Sequence, residues 1–314
     1  KDRYMDFAEV TNIRKNWAIS DQKRDKGLTT PEDIKRYDNI PYRDKLSEDM
    51  GINENANLLD IYVSKNVTGL QPAIINVHGG AFVYGSKETY QFYCMSLAKS
   101  GFTVVNMNYR LAPESSFPAP LEDLNHVLWF IKQHGREYHI DSNNLILVGD
   151  SAGGQLVSHY AAIFTNPDFA AKFSFTLPDV GIRALGLNCG LYDTESEMKN
   201  NPDGMFITYL EKTYESLSGE EKEMLDVFKY ITAEFPPSIL ATAQNDFLLE
   251  ESKVLYQRLQ KAGIPSEIQI YGKKEQKEIG HVFHINCRLP EAKDCNDREC
   301  EFFKRYITKT SHTD

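Results

Sequence analysis

The stretch of this chain best suited to covalent chemistry is a serine set among glycines, Gly149-Asp150-Ser151-Ala152-Gly153-Gly154. It follows an apolar, β-rich run, Leu145-Ile146-Leu147-Val148, and precedes a helix-like run from Gln155 to Ala162. Between a strand and a helix, G-x-S-x-G makes a nucleophile elbow, a sharp turn that lifts the serine hydroxyl clear of the sheet. The strained turn tolerates only tiny neighbours, and Gly149 and Gly153 supply that room. The helix that follows brings its positive N-terminal end beneath the serine, which favours developing negative charge there.

A serine hydroxyl is a weak nucleophile until a base takes its proton. On a strand-and-helix scaffold of this kind the partners follow in the order serine, acid, histidine, each on a loop after a strand. Asp246, in Gln244-Asn245-Asp246-Phe247-Leu248, follows an apolar strand and is the first choice for the acid. Glu250 and Glu251 more simply charge the first turn of the next helix, and Asp193 follows the preceding strand. For the base, His281 and His284 both follow the last strand, and the freedom that Gly280 gives the backbone favours His281. The other member of the pair then reads as a solvated loop side chain, and His126, His134, His139, His159 and His312 as surface or packing residues. The histidines make no metal-like cluster, so neither metal nor cofactor is expected.

Attack on a carbonyl creates an oxyanion that needs backbone N–H donors. Ala152 offers one, and the loop His78-Gly79-Gly80-Ala81-Phe82 offers more through Gly79, Gly80 and Ala81, whose small side chains let substrate approach the backbone. Ala81 serves there if its φ is negative.

The elements that must position these groups alternate. Residues 1–36 are polar, with helix-like apolar spacing in Tyr4, Phe7, Ala8, Val10, Ile13 and Trp17, and read as an arm laid over the core. Tyr37 to Arg43 and Leu58 to Ser64 form a hairpin-like pair of strands. Strands at Ala73–Val77, Thr103–Tyr109, Leu145–Val148, Ala184–Asn188, Ser238–Ala243 and Ser266–Tyr271 follow. Helices at Glu88–Ser100, Pro118–His134, Gln155–Ala162, Glu250–Ala262 and Glu299–Lys309 are interleaved with them. That rhythm predicts an α/β fold, a mostly parallel eight-stranded sheet flanked by helices. The forty or so polar residues of 193–236 break it and read as a helical cap insertion, in which Phe206, Tyr209, Leu210 and Tyr214 fall at helical spacing. The core is then 37–192 with 237–314.

With 314 residues and a formal net charge of -10, nucleic acid and anionic membranes are poor partners, and no apolar run is long enough to span a bilayer. The opening Lys1-Asp2-Arg3-Tyr4 is unlike a secretory signal, although the missing Met leaves room for residues ahead of it. Five cysteines without a C-x-x-C pair read as reduced thiols of a cytoplasmic protein, a disulfide among Cys287, Cys295 and Cys300 being the exception to test. The oligomeric state is left open, a homodimer included.

The motifs together resemble the hormone-sensitive-lipase-like group of α/β-hydrolase esterases from about Ala73 to Phe283. The marks are His78-Gly79-Gly80-Ala81-Phe82, Asn108-Tyr109-Arg110-Leu111-Ala112-Pro113-Glu114, Phe117-Pro118-Ala119-Pro120-Leu121-Glu122-Asp123 and the serine elbow. The resemblance implies a Ser151–His281–Asp246 triad and oxyanion donors from Gly80, Ala81 and Ala152. It also implies that Arg110, Glu114 and Asp123 brace the site, and that 1–36 and 193–236 cap it. Two departures stand out: Ala81 replaces a third glycine, and the charged loop before His281 is long. The expected activity is hydrolysis of small, short-chain, neutral esters through an acyl-enzyme, the narrowest guess, by analogy with the family, being an acetyl ester on a sugar. An amidase or formamidase of the kynurenine-formamidase type is the alternative. A non-catalytic small-molecule receptor is disfavoured because a histidine stands where the base is needed.

Overall fold

The computed structural model describes residues 6–309; Tyr4 and His312 lie outside them. Eight strands form one sheet in the order β1-β2-β4-β3-β5-β6-β7-β8. They are β1 (Ile34–Pro41), β2 (Leu58–Ser64), β3 (Gln71–Val77), β4 (Thr103–Met107), β5 (Ile140–Asp150), β6 (Ile182–Asn188), β7 (Ser238–Ala243) and β8 (Ser266–Tyr271). β1, β2 and β4 pair antiparallel; from β4 through β8 every pairing is parallel.

Parallel strands buried on both faces are apolar along their whole length, and the pleat sends alternate residues to opposite sides. Ile74, Val104, Ile146, Ala184 and Ile239 face one layer, with Tyr93, Met95 and Leu97 of α2 (Gln91–Ala98) and Phe302 and Phe303 of α10 (Pro290–Lys304). Ile75, Val105, Leu147, Leu185 and Leu240 face the other. There they meet α3 (Ala119–His134), α4 (Ala152–Thr165) and α9 (Leu249–Lys261) through residues such as Leu128, Leu156 and Leu255. A one-turn helix, α5 (Pro167–Ala170), follows α4.

Residues 193–236 hold three short helices, α6 (Thr194–Asn200), α7 (Met205–Leu210) and α8 (Gly219–Leu225). The arm is one long helix, α1 (Phe7–Asp25), started by an Asp6–Glu9 capping box. Its only contact with the core at full burial is Val10, while Ile13 and Trp17 are half-buried and Phe7 and Ala8 face solvent. Arg14 clasps it down: Nε donates to the Val83 carbonyl at 2.8 Å, Nη2 to that of Ala112 at 2.9 Å, and both Nη atoms to Glu114. The bracing expected of Glu114 is thus a tie between arm and core. Arg110 and Arg43 both bond buried Asp123, and Arg43 also bonds buried Asp49.

Several boundaries differ from expectation, the β5 start at Ile140, five residues before Leu145, among them. β1 opens at Ile34, three residues before Tyr37, because it pairs with β2 as far as Ser64. Helix α10 spans Pro290–Lys304, not Glu299–Lys309, with Pro290 as its first residue. Tyr214 falls beyond α7, which stops at Leu210, so it does not share the stripe of Phe206 and Tyr209.

Candidate active site

The carboxyl ends of β3, β5, β6 and β7 are level, with Val77 beside Gly149, Gly149 beside Leu187 and Asn188 beside Ala241. The loops after them therefore converge on one edge of the sheet, where open α/β folds place their ligands. Ser151 stands there at φ 51°, ψ −118°, and α4 starts at the next residue. A side chain at Gly149 would lie 2.3 Å from the Gly153 carbonyl oxygen, and one at Gly153 2.0 Å from that of Val77. Both glycines are required by the turn, as the motif predicts.

His281 Nε2 lies 3.0 Å from Ser151 Oγ, and its Nδ1 lies 2.7 Å from Asp246 Oδ1. An ionised carboxylate only accepts, so Nδ1 carries the proton and Nε2 turns its lone pair to the serine. Burial pushes the Asp246 carboxyl up, but hydrogen bonds from His281, Thr242 and the Leu248 amide outweigh it and hold the group below the ordinary carboxylate value. The rival acids are engaged elsewhere: Glu251 accepts from the Tyr192 and Asp193 amides, Asp193 caps α6, and Glu250 is an exposed partner of Lys253. Gly280 does not place His281 in the way expected, since a Cβ there would meet nothing closer than 3.5 Å and its φ is ordinary. A β-bridge from Gly280 to Asn245, next to the acid, sets the register instead, and the left-handed residue is Val282 at φ 55°. His284 is not solvated. It is 1% exposed, with Nε2 3.7 Å from Asp150 Oδ2.

Of the four expected oxyanion donors, Gly79 is taken: its N–H donates to Tyr90 Oη at 3.2 Å. The amides of Gly80, Ala81 and Ala152 have no acceptor among the described residues, and all three residues line the cavity that holds Ser151. Ala81 has φ 56°, not the negative value expected, and it sits between Gly80 at 127° and Phe82 at 66°. Left-handed backbone costs a non-glycine residue about 1–2 kcal/mol. The turn is held against that cost by the Gly80 carbonyl, which accepts from both Val83 and Tyr84, and by Phe82, stacked on Tyr209 at 4.2 Å.

Residues 74–285 match the alpha/beta hydrolase fold family. The chain is an α/β hydrolase. Among curated proteins it is 28% identical over 217 residues to an acetyl esterase of Salmonella paratyphi B, 64% of this chain and 63% of that one. It is 26% identical over 206 residues to an esterase of Gibberella moniliformis, 63% of this chain and 64% of that one. A tuliposide A-converting enzyme of Tulipa gesneriana is 27% identical over 237 residues, 68% of this chain and 57% of that protein. The matched region thus spans 57 to 64% of these relatives' own length. Esterase B of Lactobacillus rhamnosis has the same fold, with a TM-score of 0.81 at 22% identity over 95% of this chain and 94% of that one.

This α/β hydrolase carries support for the elbow that its sequence did not disclose. Tyr90 Oη accepts from Gly79 and donates to both Asp150 oxygens, at 3.0 and 2.9 Å, joining the loop after β3 to the residue before the serine. Burial drives the Asp150 carboxyl up to about 6 and the His284 imidazole down to about 3. The neutral imidazole and the carboxyl lie beneath the site as a pair. The only advance signals were an aromatic in the helix after the glycine loop and apolar flanks, Phe283 and Ile285, around His284.

The cavity over Ser151 has a volume of about 560 Å³. α1 contributes Trp17, Ser20, Asp21 and Arg24 to its wall, and α6 and α7 contribute Glu197 and Phe206. Tyr209 and Leu210 are buried behind that wall. Phe247, 77% exposed, lays its ring 4.5 Å from that of His281 at the rim. Cys189 Sγ, an Asp246 oxygen and a His281 nitrogen lie within 4.8 Å of one another. They make a poor metal site, because the acid and imidazole are bonded to each other and burial holds the Cys189 thiol protonated. All five cysteines are free thiols. Among the described residues no helix is long and apolar enough to cross a membrane.

Proposed function

We propose that this chain is a serine carboxylesterase acting on short-chain acyl esters, acetyl esters foremost. The observation that carries the reading is the unbroken chain of hydrogen bonds from Ser151 through His281 to Asp246, facing three unpartnered amides. Ser151 Oγ attacks the ester carbonyl while His281 Nε2 takes its proton, and Asp246 holds the imidazole and stabilises its charged form. The oxyanion is received by the N–H groups of Gly80, Ala81 and Ala152, each such donor being worth about 3–4 kcal/mol in serine hydrolases. His281 then protonates the leaving alcohol, and water, activated by the same imidazole, releases the acid. The identity to an acetyl esterase supports the acyl preference. So do Leu191 and Phe206, bulky groups in the cavity wall. We assign the cap to α1 with the 193–236 segment, because both supply that wall.

The test is a series of p-nitrophenyl esters from acetate to palmitate, with Ser151→Ala and a phosphonate label read by intact mass. Acetate and butyrate should be cleaved far faster than octanoate, with one adduct on Ser151 and none in the alanine variant. An adduct elsewhere, or a preference for long chains, overturns the assignment.

A further inference from the structure

Four residues of α1, Trp17, Ser20, Asp21 and Arg24, line the cavity over Ser151. Their spacing of i, i+3, i+4 and i+7 makes them one stripe of the helix. A helix that only needs to dock presents an apolar stripe to the protein. Val10 and the Arg14 clasp dock the helix, and Asp21 and Arg24 add bonds to the Tyr84 hydroxyl and the Thr89 carbonyl. Asp21 and Arg24 are 22% and 15% exposed, and burial pushes the Asp21 carboxyl up despite its Tyr84 and Arg24 partners. Both nonetheless keep bonding capacity unspent at the cavity wall, and it is that capacity, more than their polarity, that points to a ligand.

The bonding pattern says which kind. Asp21 Oδ1 accepts from Arg24 at 2.9 Å and Oδ2 from the Tyr84 hydroxyl at 2.5 Å, so lone pairs remain open on both oxygens. Arg24 spends Nε and Nη2 on Asp25, Nη2 also on the Thr89 carbonyl and Nη1 on Asp21, which leaves one Nη1 hydrogen open. Shared between two carboxylates, Arg24 cannot neutralise an anion, and Glu197 across the cavity repels one. A cation beside Asp21 would meet Arg24 itself. What remains is a neutral group that both donates and accepts several times over, with a carbon face to lie on the indole of Trp17, which is held edge-on by Tyr84 at 5.7 Å.

We propose that this stripe is the subsite for the alcohol half of the ester, and that the alcohol is a polyhydroxylated ring of the sugar or cyclic-polyol class. The proposal rests on the esterase reading, in which water cleaves the acyl–oxygen bond and the sugar departs with its hydroxyl restored.

Acetate release from methyl 6-O-acetyl-glucopyranoside is to be compared with that from cyclohexylmethyl acetate, which has the same linkage and ring size without hydroxyls. The wild-type chain should favour the sugar ester in kcat/KM by about tenfold or more, the worth of one or two hydrogen bonds to charged groups. Asp21→Ala should collapse that ratio by a similar factor, and Asp21→Asn, which keeps the shape and one acceptor, by less. A wild-type ratio near one, or a ratio unmoved in the variants, overturns the subsite while p-nitrophenyl acetate turnover keeps the esterase reading standing. Loss of turnover on all three esters, with no phosphonate adduct on Ser151, overturns both. If Asp21→Ala does not fold, the wild-type ratio and Asp21→Asn decide.

Discussion

Replacing Tyr90 by Phe removes one oxygen and three hydrogen bonds from the floor of the site. The Gly79 amide and the Asp150 carboxyl both lose their bonds to the Tyr90 oxygen, in buried surroundings. A buried group left without a partner costs about 1–3 kcal/mol, and a hydrogen bond to a charged group is worth about twice a neutral one. The penalty should therefore depend on pH. With its folded value raised from 3.8 to about 6, Asp150 holds a proton in the folded chain that the unfolded chain releases. The stability this contributes is complete below pH 3.8 and is lost as pH rises through about 6, on the order of 3 kcal/mol in all. Burial sets that shift and the Tyr90 hydroxyl limits it, so in Tyr90→Phe the folded value climbs further and the loss runs on to higher pH. At pH 5 the two chains should differ by about 1–2 kcal/mol, and at pH 8 by about 3–4 kcal/mol. Urea unfolding at the two pH values measures this directly. Because Gly79 adjoins Gly80 and Ala81, kcat on p-nitrophenyl acetate should fall about 10- to 100-fold with KM changed little. Equal penalties at pH 5 and pH 8 would refute the assignment of Tyr90 as the donor that steadies a buried Asp150.

Other perturbations separate the remaining parts. His281→Ala should lower kcat by about 10⁴ or more, whereas His284→Ala should cost about 2–4 kcal/mol of stability and less than tenfold in kcat, measured by steady-state kinetics beside thermal melts. Ala81→Gly relieves a left-handed alanine and should keep activity with a stability gain of up to about 1 kcal/mol, while Ala81→Val should lose both. Arg14→Ala removes a bidentate pair and two carbonyl contacts, about 2 kcal/mol of arm docking. Limited proteolysis within α1 should then accelerate about 10- to 100-fold while the sheet stays protected.

The parallel strands and the elbow were legible because their signal is local. An apolar run, two glycines around a serine and a helical run after it need no distant partner to be read. The same holds for Asp246, which follows a strand and precedes a helix. The backbone of the glycine loop was not legible. Whether Ala81 turns left-handed depends on the Gly80 carbonyl taking two amides and on Phe82 stacking against Tyr209, far along the chain. His281 was legible from the resemblance and not from its neighbours, since its register is set by a bridge to Asn245 and not by freedom at Gly280.

The sequence misleads most where polar residues are buried, and those places lie together under the serine. Helix α10 begins at Pro290, nine residues before the expected Glu299, in a stretch whose longer side chains are mostly polar. Yet Ala292, Cys295, Asn296, Glu299 and Cys300 form its inner stripe, at spacings that a count of large apolar residues does not register. Asn296 donates to the His284 carbonyl at 3.0 Å, His284 lies against Asp150, and burial lifts Glu299 on the same stripe to about 8. Each of these side chains, read alone, belongs on a surface. They are carried inside by a helix whose Phe302 and Phe303 pack on the sheet, beneath an elbow whose own x residue is an aspartate. Asp150 takes its hydrogen bonds from Tyr90, and His284 and the polar inner stripe of α10 lie beside it as the rest of a buried polar floor.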